Sequence, residues 1–119
     1  MIKVVALYKR RPGMTREEFK EYWLTKHAIL EKENVEKNWA RKIVASFALQ
    51  DEALPEPPWD GMVELYFDST EDMKRDIEGD QGRLMRADEE NFVDHTFPGM
   101  VCVTKEYLVA IKTPRETQV

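Results

Sequence analysis

A chain of 119 residues with 42% hydrophobic and 34% charged residues has the size and composition of one folded domain, predicted here to span residues 1–119. The net charge of −5 argues against a nucleic-acid-binding protein, which normally carries a clustered basic face. The single cysteine excludes an intrachain disulfide, and no segment is long enough to span a membrane, so we expect a cytoplasmic protein without membrane association.

The first half of the chain predicts a strand, a helix and a second strand. Residues 2–8 are rich in β-branched side chains and are followed by charged residues and Pro12-Gly13, which is typical of a strand and its turn. Thr15 and Glu18 have the spacing of a capping box, and apolar residues then recur at helical spacing to about residue 33. Residues 43–49 predict the second strand.

The second half predicts two further strands separated by helix. Residues 62–67 alternate as a third strand, after a loop with three prolines. Ser69 or Thr70 can cap a second helical stretch, which we expect Gly79 and Gly82 to interrupt before helix resumes over residues 84–90. Residues 100–111 predict a long fourth strand with a bulge near Lys105.

The element order β-α-β-β-α-β predicts an α+β, ferredoxin-like fold, in which a four-stranded antiparallel sheet carries both helices on one face. The first and third predicted strands, however, have apolar residues on both faces. The face without helices therefore needs a second cover, and another copy of the chain is the simplest one. We predict a homodimer that forms an α/β barrel; a partner domain on another chain is the alternative.

Three stretches of the chain carry a family resemblance. They are residues 8–15 continued by Glu18-Phe19, Tyr22-Trp23 and His27, then residues 59–69, and finally residues 87–94. In this order they resemble the EthD family of dimeric α/β barrels. The resemblance implies that fold, but relatives with it include cofactor-free cyclases, dehydratases, decarboxylases, isomerases and monooxygenases as well as haem-degrading enzymes, so the reaction stays open.

Two histidines are the main candidates for chemistry. His27 follows Trp23 by four residues on the apolar helix face, where a neutral imidazole can act as a general base or can instead satisfy a core carbonyl. Asp94-His95 lies in an irregular segment and is the second candidate catalytic pair; the alternative is a turn in which Asp94 caps backbone amides and His95 is solvated.

A set of aromatic and polar side chains is predicted to bind the substrate. Trp59, after the proline-rich loop, is a candidate lid residue, and Glu64 is either a ligand-polarising group or one partner of a salt bridge with Lys3 or Lys105. Such a lining suits a flat, oxygenated aromatic compound or a lactone. The predicted binding residues are Tyr8, Tyr22, Trp23, Trp59, Glu64, Tyr66, Phe92 and Phe97.

These patterns lead to one functional hypothesis and several alternatives. The histidines are not at metal-ligand spacing and the chain has no glycine-rich phosphate loop, so we predict neither a metal site nor a cofactor. The hypothesis is an enzyme that uses acid/base chemistry for decarboxylation, dehydration, cyclisation or isomerisation of a small apolar organic ligand. The alternatives are a cofactor-free monooxygenase of electron-rich phenols, a non-catalytic ligand-binding module and a haem-binding module.

Overall fold

Four strands form one antiparallel sheet in the computed structural model, which describes residues 1–97 and 100–114. They are β1 (Ile2–Tyr8), β2 (Lys42–Phe47), β3 (Gly61–Phe67) and β4 (Met100–Lys105), in the spatial order β2-β3-β1-β4. The first and third strands are therefore central and the second and fourth form the edges, which is the ferredoxin-like order. The predicted fold class is confirmed.

The first helical segment runs without a break from Arg16 to Lys37 but changes its hydrogen-bonding pattern once. It consists of α1 (Arg16–Tyr22), a π-helical turn (Trp23–His27) and α2 (Ala28–Lys37). The predicted capping box is present, because the Thr15 hydroxyl accepts from the Glu18 amide at 3.1 Å and the Glu18 carboxylate accepts from the Thr15 amide at 3.0 Å. The helix continues to residue 37, beyond the predicted end near residue 33.

The second helical region differs from the prediction. It contains α3 (Thr70–Glu78), capped by Ser69, and α4 (Asp80–Glu89). The prediction that both glycines interrupt helix is wrong, since only Gly79 lies between the helices and Gly82 is buried within α4. Gly82 is there because α4 packs against the end of α3 so closely that no side chain fits between them.

The predicted extent of the last strand is also wrong. The fourth strand ends at Lys105, which pairs with Ile2, and residues 106–114 form no strand. The physical reason is the partner strand: β1 begins at Ile2, so β1 has no further residues with which the chain beyond Lys105 can form a ladder. The apolar residues of this stretch, Leu108, Val109 and Ile111, are instead exposed.

The helices cover one face of the sheet and bury the core there. Phe19 and Trp23 from the first helical segment pack with Phe92 and with Ala6 and Val63 of the central strands. A second cluster, formed by Val4, Ala40, Phe67 and Met73, continues the core along the same face. On the opposite sheet face, here called the open face, none of the described helices packs.

Replacing Gly82 should test how closely α3 and α4 pack. An alanine Cβ at this position would lie 2.6 Å from the backbone oxygen of Asp76 and 2.7 Å from that of Ile77, and backbone cannot move aside as a side chain can. We expect Gly82→Ala to lower the free energy of unfolding by about 1–3 kcal/mol, measured by urea denaturation.

Gly79→Ala is the matched control, because its backbone φ of −74° suits alanine and its nearest contact would be 3.1 Å from the Arg75 oxygen. It should change stability by less than about 1 kcal/mol. Equal stabilities of the two variants would contradict the close packing at Gly82.

Candidate functional site

A cavity of about 400 Å³ lies between the helix-covered sheet face and the helices. This volume is in the range that holds a small organic ligand. Its walls are mainly apolar, and the polar groups on them come from β1, the π-helical turn, α2, α3, α4 and the segment that follows α4. The lining includes Val4, Ala6, Tyr8, Trp23, His27, Glu31, Val63, Leu65, Phe67, Asp76, Met85, Arg86, Glu89, Val93, Asp94, His95, Phe97 and Val101.

His27 forms the centre of the polar part of this cavity. The residue is 5% exposed, and its Nδ1 lies 2.9 Å from Oδ2 of Asp88 near the end of α4. The other oxygen of Asp88 accepts hydrogen bonds from the Tyr22 hydroxyl at 2.7 Å and from the side-chain amide of Asn91 at 2.9 Å. One carboxylate therefore joins α1, the π-helical turn and the end of α4 around the histidine.

The electrostatics of Asp88 determine which nitrogen of His27 is available. Burial raises the pKa of Asp88, but hydrogen bonds from Tyr22, Asn91 and His27 outweigh burial and lower the pKa overall. The carboxylate is charged at neutral pH and can only accept, so Nδ1 of His27 carries the proton of this hydrogen bond. In a neutral ring, Nε2 is then the basic nitrogen.

Nε2 of His27 is open to the cavity. It has no hydrogen-bond partner among residues 1–97 and 100–114. Within the same residues, no buried side-chain nitrogen or oxygen lacks a partner. Nε2 is therefore accessible, and because His27 lines the cavity, a ligand there can reach it.

The π-helical turn brings Trp23, His27 and Glu31 onto one side of the helix. The Ala28 amide bonds the Trp23 oxygen, five residues back, so the turn absorbs one extra residue. Trp23 and Glu31 are eight residues apart, and in a regular α-helix their directions around the helix axis would differ by about 80°. Because the turn absorbs one residue, this angle falls to about 20°. Consistent with that alignment, the Trp23 indole donates to Glu31 Oε1 at 2.9 Å.

Two carboxyl groups on the cavity wall, Glu31 and Glu89, were not among the sequence candidates. Glu89 accepts a hydrogen bond from the Tyr8 hydroxyl at 2.7 Å. Burial raises the pKa of both carboxyl groups. Burial and the neighbouring Glu89 also raise the pKa of the Tyr8 hydroxyl. Both glutamates and Asp88 lie among charged residues, a pattern that is typical of a solvated helix face. The sequence pointed to an inward position only for Glu31, which follows His27 by four residues as His27 follows Trp23.

The structure brings six of the predicted site residues together at the cavity: Tyr8, Trp23, His27, Asp94, His95 and Phe97. His95 is exposed at the rim, and the Asp94 carboxylate accepts from the Thr96 amide at 2.9 Å and from its hydroxyl at 2.6 Å. Asp94 therefore forms the capped turn considered as its alternative.

Two predicted residues lie behind the cavity wall. Tyr22 donates its hydroxyl to Asp88, and Phe92 is buried with its ring 4.9 Å from that of His27 and stacked 5.1 Å from that of Tyr22. Both hold the histidine and its carboxylate in place without lining the cavity themselves.

Three predicted binding residues lie away from the cavity. Glu64 and Tyr66 are on the open face, where Lys3 Nζ lies 2.9 Å from Glu64 and the Tyr66 hydroxyl donates to Glu106 at 3.2 Å. The salt bridge considered for Glu64 is thus present. Trp59 is half-buried outside the cavity lining, in the loop before β3.

In the part of the chain that the structure describes, no group of three or more His, Cys, Asp or Glu side chains is arranged to hold a metal ion. The described helices include none that is long and apolar enough to cross a bilayer.

The family model of the EthD domain matches residues 11–96. This range includes all the described helices, Asp88 and its three partners Tyr22, His27 and Asn91. The chain belongs to the EthD family. No curated protein sequence matches this EthD protein.

Solved structures share the fold of this EthD protein. An EthD family protein from Bacillus halodurans is 21% identical, with a TM-score of 0.70, and the match covers 90% of this chain and 99% of that one. An EthD-like protein from Ralstonia eutropha is 18% identical, with a TM-score of 0.69 and coverages of 92% and 94%. A dimeric protein of ferredoxin-like fold from Bacteroides fragilis is 15% identical, with a TM-score of 0.67 and coverages of 88% and 95%. Identities this low establish the fold alone.

Proposed function

We propose that this EthD protein is an enzyme that moves a proton on a small, apolar, oxygenated ligand, with His27 as the general base. The observation that carries the proposal is the state of the imidazole: Asp88 holds Nδ1 at 2.9 Å, and Nε2 faces a cavity with mainly apolar walls. A carboxylate that orients a histidine and leaves its other nitrogen free is a common arrangement for proton transfer. The ligand class is an aromatic, polyketide-like or lactone compound.

The proposed step is removal of a proton from a carbon next to a carbonyl group. Nε2 of His27 takes the proton, the electron pair of the C–H bond moves to the carbonyl oxygen as an enolate, and Asp88 stabilises the resulting imidazolium. Return of the proton to a different atom completes an isomerisation, and the same enolate is the intermediate for cyclisation or dehydration. The step needs no electron acceptor.

The bicyclic aromatic ketone 2-tetralone tests this step without knowledge of the natural substrate. Its methylene protons next to the carbonyl are acidic, and their replacement by deuterium in D₂O is followed by NMR. We expect the protein to catalyse this exchange well above the rate of free imidazole at the same concentration. A rate equal to that of imidazole would refute the proposal, and oxygen uptake with a hydroxyanthrone would assign the cavity to oxygenation instead.

We further propose that two copies associate through the open face. Val5 and Met62 are apolar, half-buried residues of this face, and the related protein from Bacteroides fragilis is described as dimeric. The free thiol of Cys102 lies on the same face, at an exposed position, and suits the reducing cytoplasm proposed as the compartment.

The assembly has its own test. We expect sedimentation equilibrium at micromolar concentration to give about twice the chain mass of 14.0 kDa. Met62→Lys should shift the protein toward monomer, because it places a charge in the apolar part of the interface. A wild-type protein that stays folded as a monomer at that concentration would contradict the dimer.

A further inference from the structure

We infer that Glu31 and Glu89 are proton donors of the cavity, which bind the carbonyl oxygen of the ligand while His27 attacks its neighbouring C–H group. The inference rests on the proposed function, since it adds two catalytic residues to the same site and specifies the ligand as a carbonyl compound. It assigns to the glutamates the role of binding the oxygen on which negative charge develops.

The first support is the hydrogen bonding of the two side chains. Each uses one oxygen to accept from a protein donor, Trp23 for Glu31 and Tyr8 for Glu89, and neither second oxygen has a partner among the described residues. Glu31 is only 7% exposed, and both residues line the cavity. Since the described residues contain no buried polar side-chain atom without a partner, both second oxygens are accessible to solvent or to a ligand.

The second support is the lack of a counter-ion. Within the described residues, no lysine or arginine lies within ion-pair distance of either glutamate. A charged carboxylate in an apolar cavity without a counter-ion is costly, and binding a proton removes the cost. Burial accordingly raises the pKa of both groups, and this effect outweighs the lowering by nearby His27 and by the hydrogen bonds from Trp23 and Tyr8. Arg86 and His95 also lower the pKa of Glu89 without reversing its direction. A neutral carboxylic acid can donate to a carbonyl oxygen, which a carboxylate cannot do.

The other acidic and basic groups of the cavity are hydrogen-bonded within the protein or exposed. Asp76 on α3 accepts from the Asn34 amide at 2.8 Å and from the backbone amides of residues 39 and 40, and Asp94 accepts from Thr96. Arg86 and His95 are exposed at the rim. Asp94 also keeps one oxygen free, but the hydrogen bonds from Thr96 lower its pKa, so it remains a carboxylate that can only accept. Glu31 and Glu89 are thus the carboxyl groups of the lining that combine a free oxygen with a raised pKa.

The proton balance of the step is simple. His27 removes the proton from carbon, and the enolate oxygen receives a hydrogen bond or the proton of Glu31 or Glu89. When the proton on His27 returns to carbon, the O–H proton returns to the carboxylate, so the two groups regain their starting states. A ligand whose oxygen only accepts hydrogen bonds, such as a ketone, quinone or lactone, suits this arrangement.

Binding of 2-tetralone and of the hydrocarbon tetralin tests the inference independently of catalysis. The two probes share a ring system, but only 2-tetralone has a carbonyl oxygen. Because burial raises the pKa of both glutamates, we expect the affinity for 2-tetralone to fall about threefold to tenfold, the usual worth of one hydrogen bond, as rising pH removes their protons. The affinity for tetralin, measured by the same titration calorimetry, should not change.

The variant E31Q/E89Q supplies the matched comparison. Its amide groups donate at every pH, so we expect 2-tetralone affinity to become independent of pH, whereas Glu90→Gln, at an exposed position just after α4, should behave as wild type. A pH dependence that persists in E31Q/E89Q would belong to His27 and overturn the inference. A wild-type affinity for 2-tetralone that does not change with pH would overturn the inference as well, without any variant. Failure of deuterium exchange alone would count only against the proposed function.

Discussion

Replacement of His27 by alanine should lower the rate of 2-tetralone deuterium exchange by about a hundredfold to ten-thousandfold, the usual contribution of a positioned general base. The reason is that Nε2 is the basic nitrogen exposed to the cavity, while Asp88 holds the ring by Nδ1. The measurement is the NMR exchange rate per folded molecule, with a melting curve on the same preparation. Asp88→Asn should lie between wild type and His27→Ala, because asparagine can occupy the same place without the charge that stabilises the imidazolium.

The second histidine provides the control for this experiment. His95 lines the same cavity but is exposed and makes no hydrogen bond within the described residues, so His95→Ala should have a much smaller effect than His27→Ala. A larger loss in His95→Ala would transfer the base to that residue. If His27→Ala lost about 1–3 kcal/mol of stability because Oδ2 of Asp88 had lost its partner, but kept its exchange rate, His27 would be a structural residue.

Replacement of Phe19 by alanine should cost about 3–5 kcal/mol in the free energy of unfolding, the largest stability effect that we expect in this fold. Phe19 is fully buried, with its ring centroid 5.7 Å from that of Trp23, 6.1 Å from that of Phe47 and 5.6 Å from that of Phe92. It thereby joins the first helical segment, the second strand and the segment after α4. Urea denaturation measures the loss.

Ile29→Ala, on the same helical segment, is the matched control for Phe19→Ala. Ile29 is 54% exposed, so its truncation should change stability by no more than about 0.5 kcal/mol. A loss below about 1 kcal/mol in Phe19→Ala would mean that the aromatic cluster is not the centre of the core.

Features set by near neighbours in the chain could be predicted from the sequence. The capping box depends on Thr15 and Glu18, which are three residues apart, and the faces of a strand depend on residues that are two apart. Local pattern was therefore sufficient to predict both features. The placement of His27 on the inner helix face followed in the same way from its spacing to Trp23. The end of the fourth strand did not follow, because it is set by where the first strand begins, about a hundred residues earlier in the chain.

The candidate site depended more on distant partners than on pattern. Asp88 is 61 residues from His27 in the chain, and Glu89 is 81 residues from Tyr8, so no local spacing connects either pair. Glu64 and Tyr66 were expected at the site because of their polar and aromatic side chains, but the helices and the cavity lie on the other face of the third strand, so both residues are on the open face. Tertiary geometry, which a single sequence does not contain, made these assignments.

The π-helical turn has a consequence for comparing this chain with its relatives. One residue is accommodated in the helix between Phe19 and Glu31 without breaking it, which is the structural form of a single-residue insertion. A homologue with a regular α-helix here has one residue fewer between the positions that correspond to Phe19 and Glu31. An ungapped alignment can then match either Phe19 or Glu31 to its true counterpart, but not both, and a gap inside the helix is needed to compare the residues that face the cavity.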